Sequence, residues 1–123
     1  MTAIRSEFVD YLVELMADWA MVSPHRMFGG YGLYRDGLMF ALVAGDELFF
    51  KTDANNVAQF ERTGSRPFIH QSKGRAVQLS YWSAPAASLD SPAEMVEWCR
   101  SAYGSALRAQ AAKVKKSGKG NRK

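Results

Sequence analysis

Residues 26–53 read RMFGGYGLYRDGLMFALVAGDELFFKTD, and this stretch decides the fold. Arg26 to Tyr34 is apolar and aromatic, interrupted only by Gly29, Gly30 and Gly32. Arg35-Asp36-Gly37 follows. Asp-Gly between two apolar runs signals a hairpin, because both residues tolerate the positive φ that such a turn needs. Leu38 to Ala44 reads as a second strand, Gly45-Asp46-Glu47 as a second turn, and Leu48 to Thr52 as a third strand. Three antiparallel strands are about the smallest sheet that holds together once one face is packed. The expectation is a meander used as a platform, with helices over one face.

Outward from this platform, helical spacing dominates the N-terminal side. Phe8, Leu12, Leu15, Met16 and Trp19 recur at steps of three and four, with Ile4 one turn earlier, which predicts a helix over 2–20. Pro24 disfavours helical backbone at Ser23 and ends it. On the other side, Asp53 is the expected N-cap of a short helix over 54–63, pinned by Val57 and Phe60 and stopped by Gly64. Phe68-Ile69-His70 is a short strand or an extended loop. Arg75 to Ser83 alternates: Val77, Leu79 and Tyr81 share one face and Trp82 covers the other. Ser91-Pro92-Ala93-Glu94 opens a last helix, with Ser91 as cap and Pro92 in the first turn. Met95, Trp98, Cys99, Ala102 and Ala106 form its core stripe, and it is expected to reach about Lys115. The order α-β-β-β-α-β-β-α predicts an α+β domain.

The chain has 123 residues, 47% of them apolar, enough for one domain with its own core. It carries one cysteine, so no disulfide forms within it, and no membrane span or signal peptide is recognisable. A cytoplasmic protein is expected. The net charge of +4 is unevenly placed. Lys113, Lys115, Lys116, Lys119, Arg122 and Lys123 are six of the sixteen basic residues, and without them ten basic residues face twelve acids, a net of −2. The organisation read from this is a body over 1–112 and a basic tail over 113–123, disordered from Ser117 because it lacks apolar residues.

Met27-Phe28-Gly29-Gly30-Tyr31-Gly32-Leu33-Tyr34, then Asp36-Gly37, Phe40-Ala41 and Leu48-Phe49-Phe50-Lys51-Thr52-Asp53 resemble the N-terminal domain of the TfoX/Sxy family, bacterial proteins linked to competence for DNA uptake. Tyr81-Trp82 and the region of Pro85 are similar to the same family. The resemblance runs from the first helix to about Ala106. It implies a compact α+β fold like that of secretion chaperones, with a sheet of about five strands and helices on one side. Competence regulators of the family carry a further helical domain. Here a basic tail follows the last helix, so a stand-alone domain is expected.

The residues spell out no reaction. Gly29-Gly30-Tyr31-Gly32 is either a cradle for a phosphate, or a β-bulge, or a place where the first helix packs closely over a strand; it lacks the Lys-Ser/Thr of a P-loop. His25, His70 and Cys99 show no metal-ligand spacing, and neither a metal nor another cofactor is expected. Asp36 and Asp46 fall in turns, Asp53 at a cap and Glu94 in a capping box, while Glu7, Asp10, Glu14 and Asp18 make the polar side of the first helix acidic. Arg26 and Lys51 lie in apolar strands and could hold an anion between them, or each could point to the wet face of the sheet. Tyr31, Tyr34, Phe49, Tyr81 and Trp82 cannot all face the helices. Those left outside would meet a protein partner, a second copy, or the bases of a single-stranded nucleic acid. The expected function is a non-enzymatic binding or regulatory module acting through protein contacts, with Arg26, Phe28, Gly29, Gly30, Tyr31, Lys51, Tyr81 and Trp82 as candidate contact residues. The alternative is a nucleic-acid accessory protein whose tail, from Lys113 to Lys123, touches phosphates.

Overall fold

Six strands form one open antiparallel sheet, and helices cover one of its faces. The computed structural model describes residues 6–27 and 29–121, with side chains as far as Lys115. Helix α1 is Glu7–Leu15, strand β1 Ser23–Met27, β2 Gly30–Arg35, β3 Leu38–Ala44 and β4 Glu47–Lys51. Helix α2 is Val57–Arg62, β5 Pro67–Ser72, β6 Arg75–Ser83, and α3 Pro92–Asn121 after a 3-10 turn at Ala86–Leu89. The strand order across the sheet is β1-β2-β3-β4-β6-β5.

The α+β class and the antiparallel sheet agree with the sequence reading, and the strand count is one higher. The run from Arg26 to Tyr34 is two strands. Met27 pairs with Gly30, so the chain reverses between them, with Gly29 at φ 80°. Glycine takes that conformation without steric cost. Ser23 and Pro24, expected only to stop the helix, pair with Tyr34 and Leu33 at the sheet edge. An edge is where proline is tolerated, since it has no N–H to give the ladder.

The helices also differ in extent. Ser6 caps α1, its hydroxyl accepting from the Val9 N–H at 3.0 Å; the expected first turn over residues 2–5 lies outside the described residues. Helix α2 starts three residues later than expected, at Val57 after Asn56. The Asp53 side chain accepts from the Asn55 N–H, while the Asn56 side chain accepts from the Asp53 N–H. These bonds wind residues 53–56 into a turn that delays the helix. Helix α3 opens as expected, with the Ser91 hydroxyl accepting from the Glu94 N–H. It continues past Lys115, so residues 117–121, expected to be disordered, have helical backbone. Ala109, Ala111, Ala112 and the lysines favour helix strongly, and cations near a helix C-terminus suit its dipole.

The core lies between the sheet and its helical cover. Val9, Leu12, Leu15 and Met16 come from α1 and its last turn, and Met95, Cys99, Ala102 and Ala106 from α3. Phe60 comes from α2, and Leu33, Phe40, Ala41, Val43, Leu48 and Phe50 from the sheet. A bulge between β2 and β3 makes both Phe40 and Ala41 core residues. Leu33 pairs with Ala41 and Tyr34 with Met39, leaving Phe40 unpaired. Phe40 then meets the edges of Trp19 at 5.1 Å and Tyr103 at 6.3 Å. Among the described residues, no helix is long and apolar enough to cross a membrane.

Candidate functional site: the uncovered face of the sheet

Among the described residues, no helix packs over the face opposite the core. Leu42 pairs with Phe49, Gly32 with His25, and Lys51 with Tyr81, and these pairs fall on the open side. A groove of about 510 Å³ runs across it, lined chiefly by Met27, Met39, Leu42, Phe68, Leu79 and Tyr81. Residues from both ends of the strand order share this groove, so the sheet curls around it.

Each wall has a local cause. Gly32 leaves a dimple, and a Cβ there would lie 2.7 Å from the Met27 sulfur and 3.0 Å from the Met39 sulfur. Gly30 is packed harder still: a Cβ would sit 2.1 Å from the Val43 carbonyl oxygen. The glycine run does pack closely, but not under the first helix as the sequence suggests: Gly29 turns the chain and Gly30 lies against β3. The backbone met is a neighbouring strand. On the far wall, Phe49 meets Phe68 edge-on at 4.8 Å, and Phe68 stacks on His70 at 6.4 Å. Arg66 lies over the Phe49 ring and pairs with Glu47.

Tyr81 and Lys51 supply the polar part of this face. Burial raises the Tyr81 hydroxyl from 10.0 to about 12, and Tyr34 adds to the shift. The Lys51 ammonium lies 5.0 Å from the centre of the Tyr81 ring. Burial holds it below the ordinary lysine range; Asp53 counters this and Lys113 reinforces it. Asp53 itself is held below its usual value, first by the Arg108 hydrogen bonds at 2.6 and 3.0 Å.

The candidate residues divide accordingly. Gly29, Gly30 and Tyr81 line the groove, and Lys51 lies over Tyr81 at its side; Tyr31 borders the groove but pairs with Val43, and its ring packs against the core. Trp82 does not belong to it: Trp82 pairs with Phe50 on the helix side and packs against the core. Arg26 pairs with Tyr31 on the edge strand, its guanidinium 5.7 Å from that ring. Register sets Arg26 with Tyr31 and the core residue Val43 on the helix side, and Lys51 with Tyr81 on the open side, so the two do not clamp one anion. Phe28, Arg122 and Lys123 lie outside the described residues, as do the side chains of Lys116 and Lys119. Lys113 and Lys115 are exposed on α3.

Met39, Leu42, Phe68, His70 and Leu79 went unselected in the sequence. One signal was available: every residue from Leu38 to Ala44 is apolar, and a strand with a wet face alternates.

A larger cleft, about 760 Å³, separates α2 from α3. Its polar groups already serve one another. Asn56 donates to the Lys51 and Ser101 carbonyls, Ser101 donates to Gln59, and Arg100 pairs with Glu97. Cys99 is wholly buried, and burial pushes its thiol well above the ordinary range. Among the described residues, no group of three or more His, Cys, Asp or Glu side chains could hold a metal ion.

The family model for the TfoX N-terminal domain matches residues 14–106. The chain belongs to the TfoX N-terminal domain family. The match takes in the whole sheet and the core half of α3. One relative is the DNA transformation protein TfoX1 of Aliivibrio fischeri, 25% identical over 96 residues. That alignment covers 78% of this chain and 44% of the relative, so the chain spans less than half the length of the protein it matches.

Proposed function

We propose that this TfoX N-terminal domain is a non-enzymatic docking module whose uncovered sheet face receives an apolar segment of a protein, a second copy included. The observation that carries the reading is the groove bounded by Met27, Met39, Leu42, Phe68, Leu79 and Tyr81. A groove of this size and apolar lining suits a few inserted side chains. An apolar patch without a cover is what interaction surfaces expose. The titratable groups support binding over catalysis. Tyr81 is held protonated by burial, and Cys99 is sealed in the core far from both histidines' face. Kinship with a DNA transformation protein supports seeking the partner among regulators of DNA uptake in the cytoplasm.

Panning a random peptide library against the immobilised protein tests this. Apolar or aromatic peptides are expected, captured by the natural chain and lost to Leu42→Asp, which should still unfold in one cooperative transition only a few degrees lower. Absence of any groove-dependent peptide, together with a monomer in sedimentation at high concentration, overturns the reading.

A further inference from the structure

Helix α3 has two unlike halves. As far as Ala106 it feeds Met95, Cys99, Ala102 and Ala106 into the core. From Leu107 to Lys115 every residue is exposed. The backbone continues as helix to Asn121, about 20 Å beyond the last core contact at ~1.5 Å per residue. Its root is fixed. Arg108 lies across Gly104, donates twice to Asp53, and reaches Ser105. No acid follows Glu97 in the sequence, so Lys113, Lys115, Lys116 and Lys119 have none on the projecting part of the helix.

We propose that the projecting end of α3 docks on double-stranded DNA through its phosphates, without reading sequence. Charge complementarity carries the assignment: a rod of cations meets a polymer with one negative charge per ~1.7 Å of axis. Shape narrows it. An α-helix with side chains is ~10–12 Å across, and the major groove of B-DNA is ~12 Å wide. The major groove of duplex RNA is too narrow to admit it. No aromatic residue follows Tyr103, so stacking on single strands has no platform here. A membrane surface needs a broad apolar stripe, and Leu107 and Val114 are the only large aliphatic residues after Ala106.

The test uses the full chain and a fluorescent short DNA duplex, read by anisotropy while salt rises from about 50 to about 200 mM. Binding at the low end should fall steeply, with little difference between unrelated sequences. Lys113→Ala with Lys115→Ala should lower the slope of log affinity against log salt by about 1.8, at ~0.9 per lost phosphate contact. Should that variant melt early, Lys113→Gln with Lys115→Gln repeats the measurement. Leu42→Asp, which blocks the groove, should bind DNA unchanged, so this proposal and the docking reading fail separately. No binding at low salt overturns it, as does a slope indifferent to both lysines. Binding to anionic vesicles alone assigns the helix to a membrane and overturns it too. Salt-sensitive self-association without DNA binding assigns it to the acidic α1 of a second copy, with the same consequence.

Discussion

On the helix side of the sheet, Leu33, Phe40 and Phe50 are fully buried, whereas Met39, Leu42 and Leu79 on the other side keep part of their surface in water. The same strand, β3, supplies both sets. Hydropathy therefore did not choose which side became core. The cover did: among the described residues, α1, α2 and α3 bring Leu12, Phe60 and Met95 to one face and no side chain to the other. Apolar side chains kept on an uncovered face carry a solubility cost, which the proposed docking role would offset.

Truncation on each side is the strongest way to break this contrast. Phe50→Ala should cost about 3–5 kcal/mol, the range for a large aromatic deleted from a closed core. Leu42→Ala should cost about 1 kcal/mol, as for an ordinary half-exposed position. Urea denaturation with unchanged slopes measures both, and equal losses would mean that the open face is a second core. The two glycines at the groove rim sharpen the point. Gly30→Ala drives a methyl into the Val43 carbonyl and should cost about 3 kcal/mol. Gly29→Ala meets open space and pays only for its positive φ, roughly 1–2 kcal/mol.

Smaller effects follow from charge. Asp53→Asn should remove about 0.5–1 kcal/mol, the worth of a largely solvated pair with Arg108. Because the folded carboxyl titrates below 3.8, that contribution is present above this pH and fades as pH falls through the depressed value. The difference between natural and Asp53→Asn melting curves should therefore close in acid. Tyr81 works in the opposite direction. With the folded hydroxyl raised to about 12, stability held below pH 10 is lost as the unfolded chain ionises first. Ultraviolet titration should find one late tyrosine, absent in Tyr81→Phe.

Turn chemistry was the most legible layer of the sequence. Asp36-Gly37 and Gly45-Asp46 placed β2, β3 and β4, and Ser91-Pro92 placed the start of α3, because these signals act within four residues. The hairpin at Gly29 was hidden by its neighbours: Met27, Phe28 and Tyr31 make the run look like one strand, and a glycine pair is equally at home in a bulge. Trp82, a candidate contact residue in the sequence, packs against the core; alternation shows that two faces differ, not which one is covered. The groove itself was out of reach. It exists because strands far apart in the ladder curl towards each other, and curl is a property of the assembled sheet.

The β5–β6 hairpin leaves the body early. Only Tyr81, Trp82 and Ser83 pair with β4, while Ile69 and Val77 near its tip stay 45% and 40% exposed, on opposite faces. Its far end thus hangs on its own rungs and opens at little expense to the rest. Length changes at Lys73-Gly74 should be invisible to the melting curve. Lengthening or trimming this finger would change the reach of the molecule without renegotiating the fold.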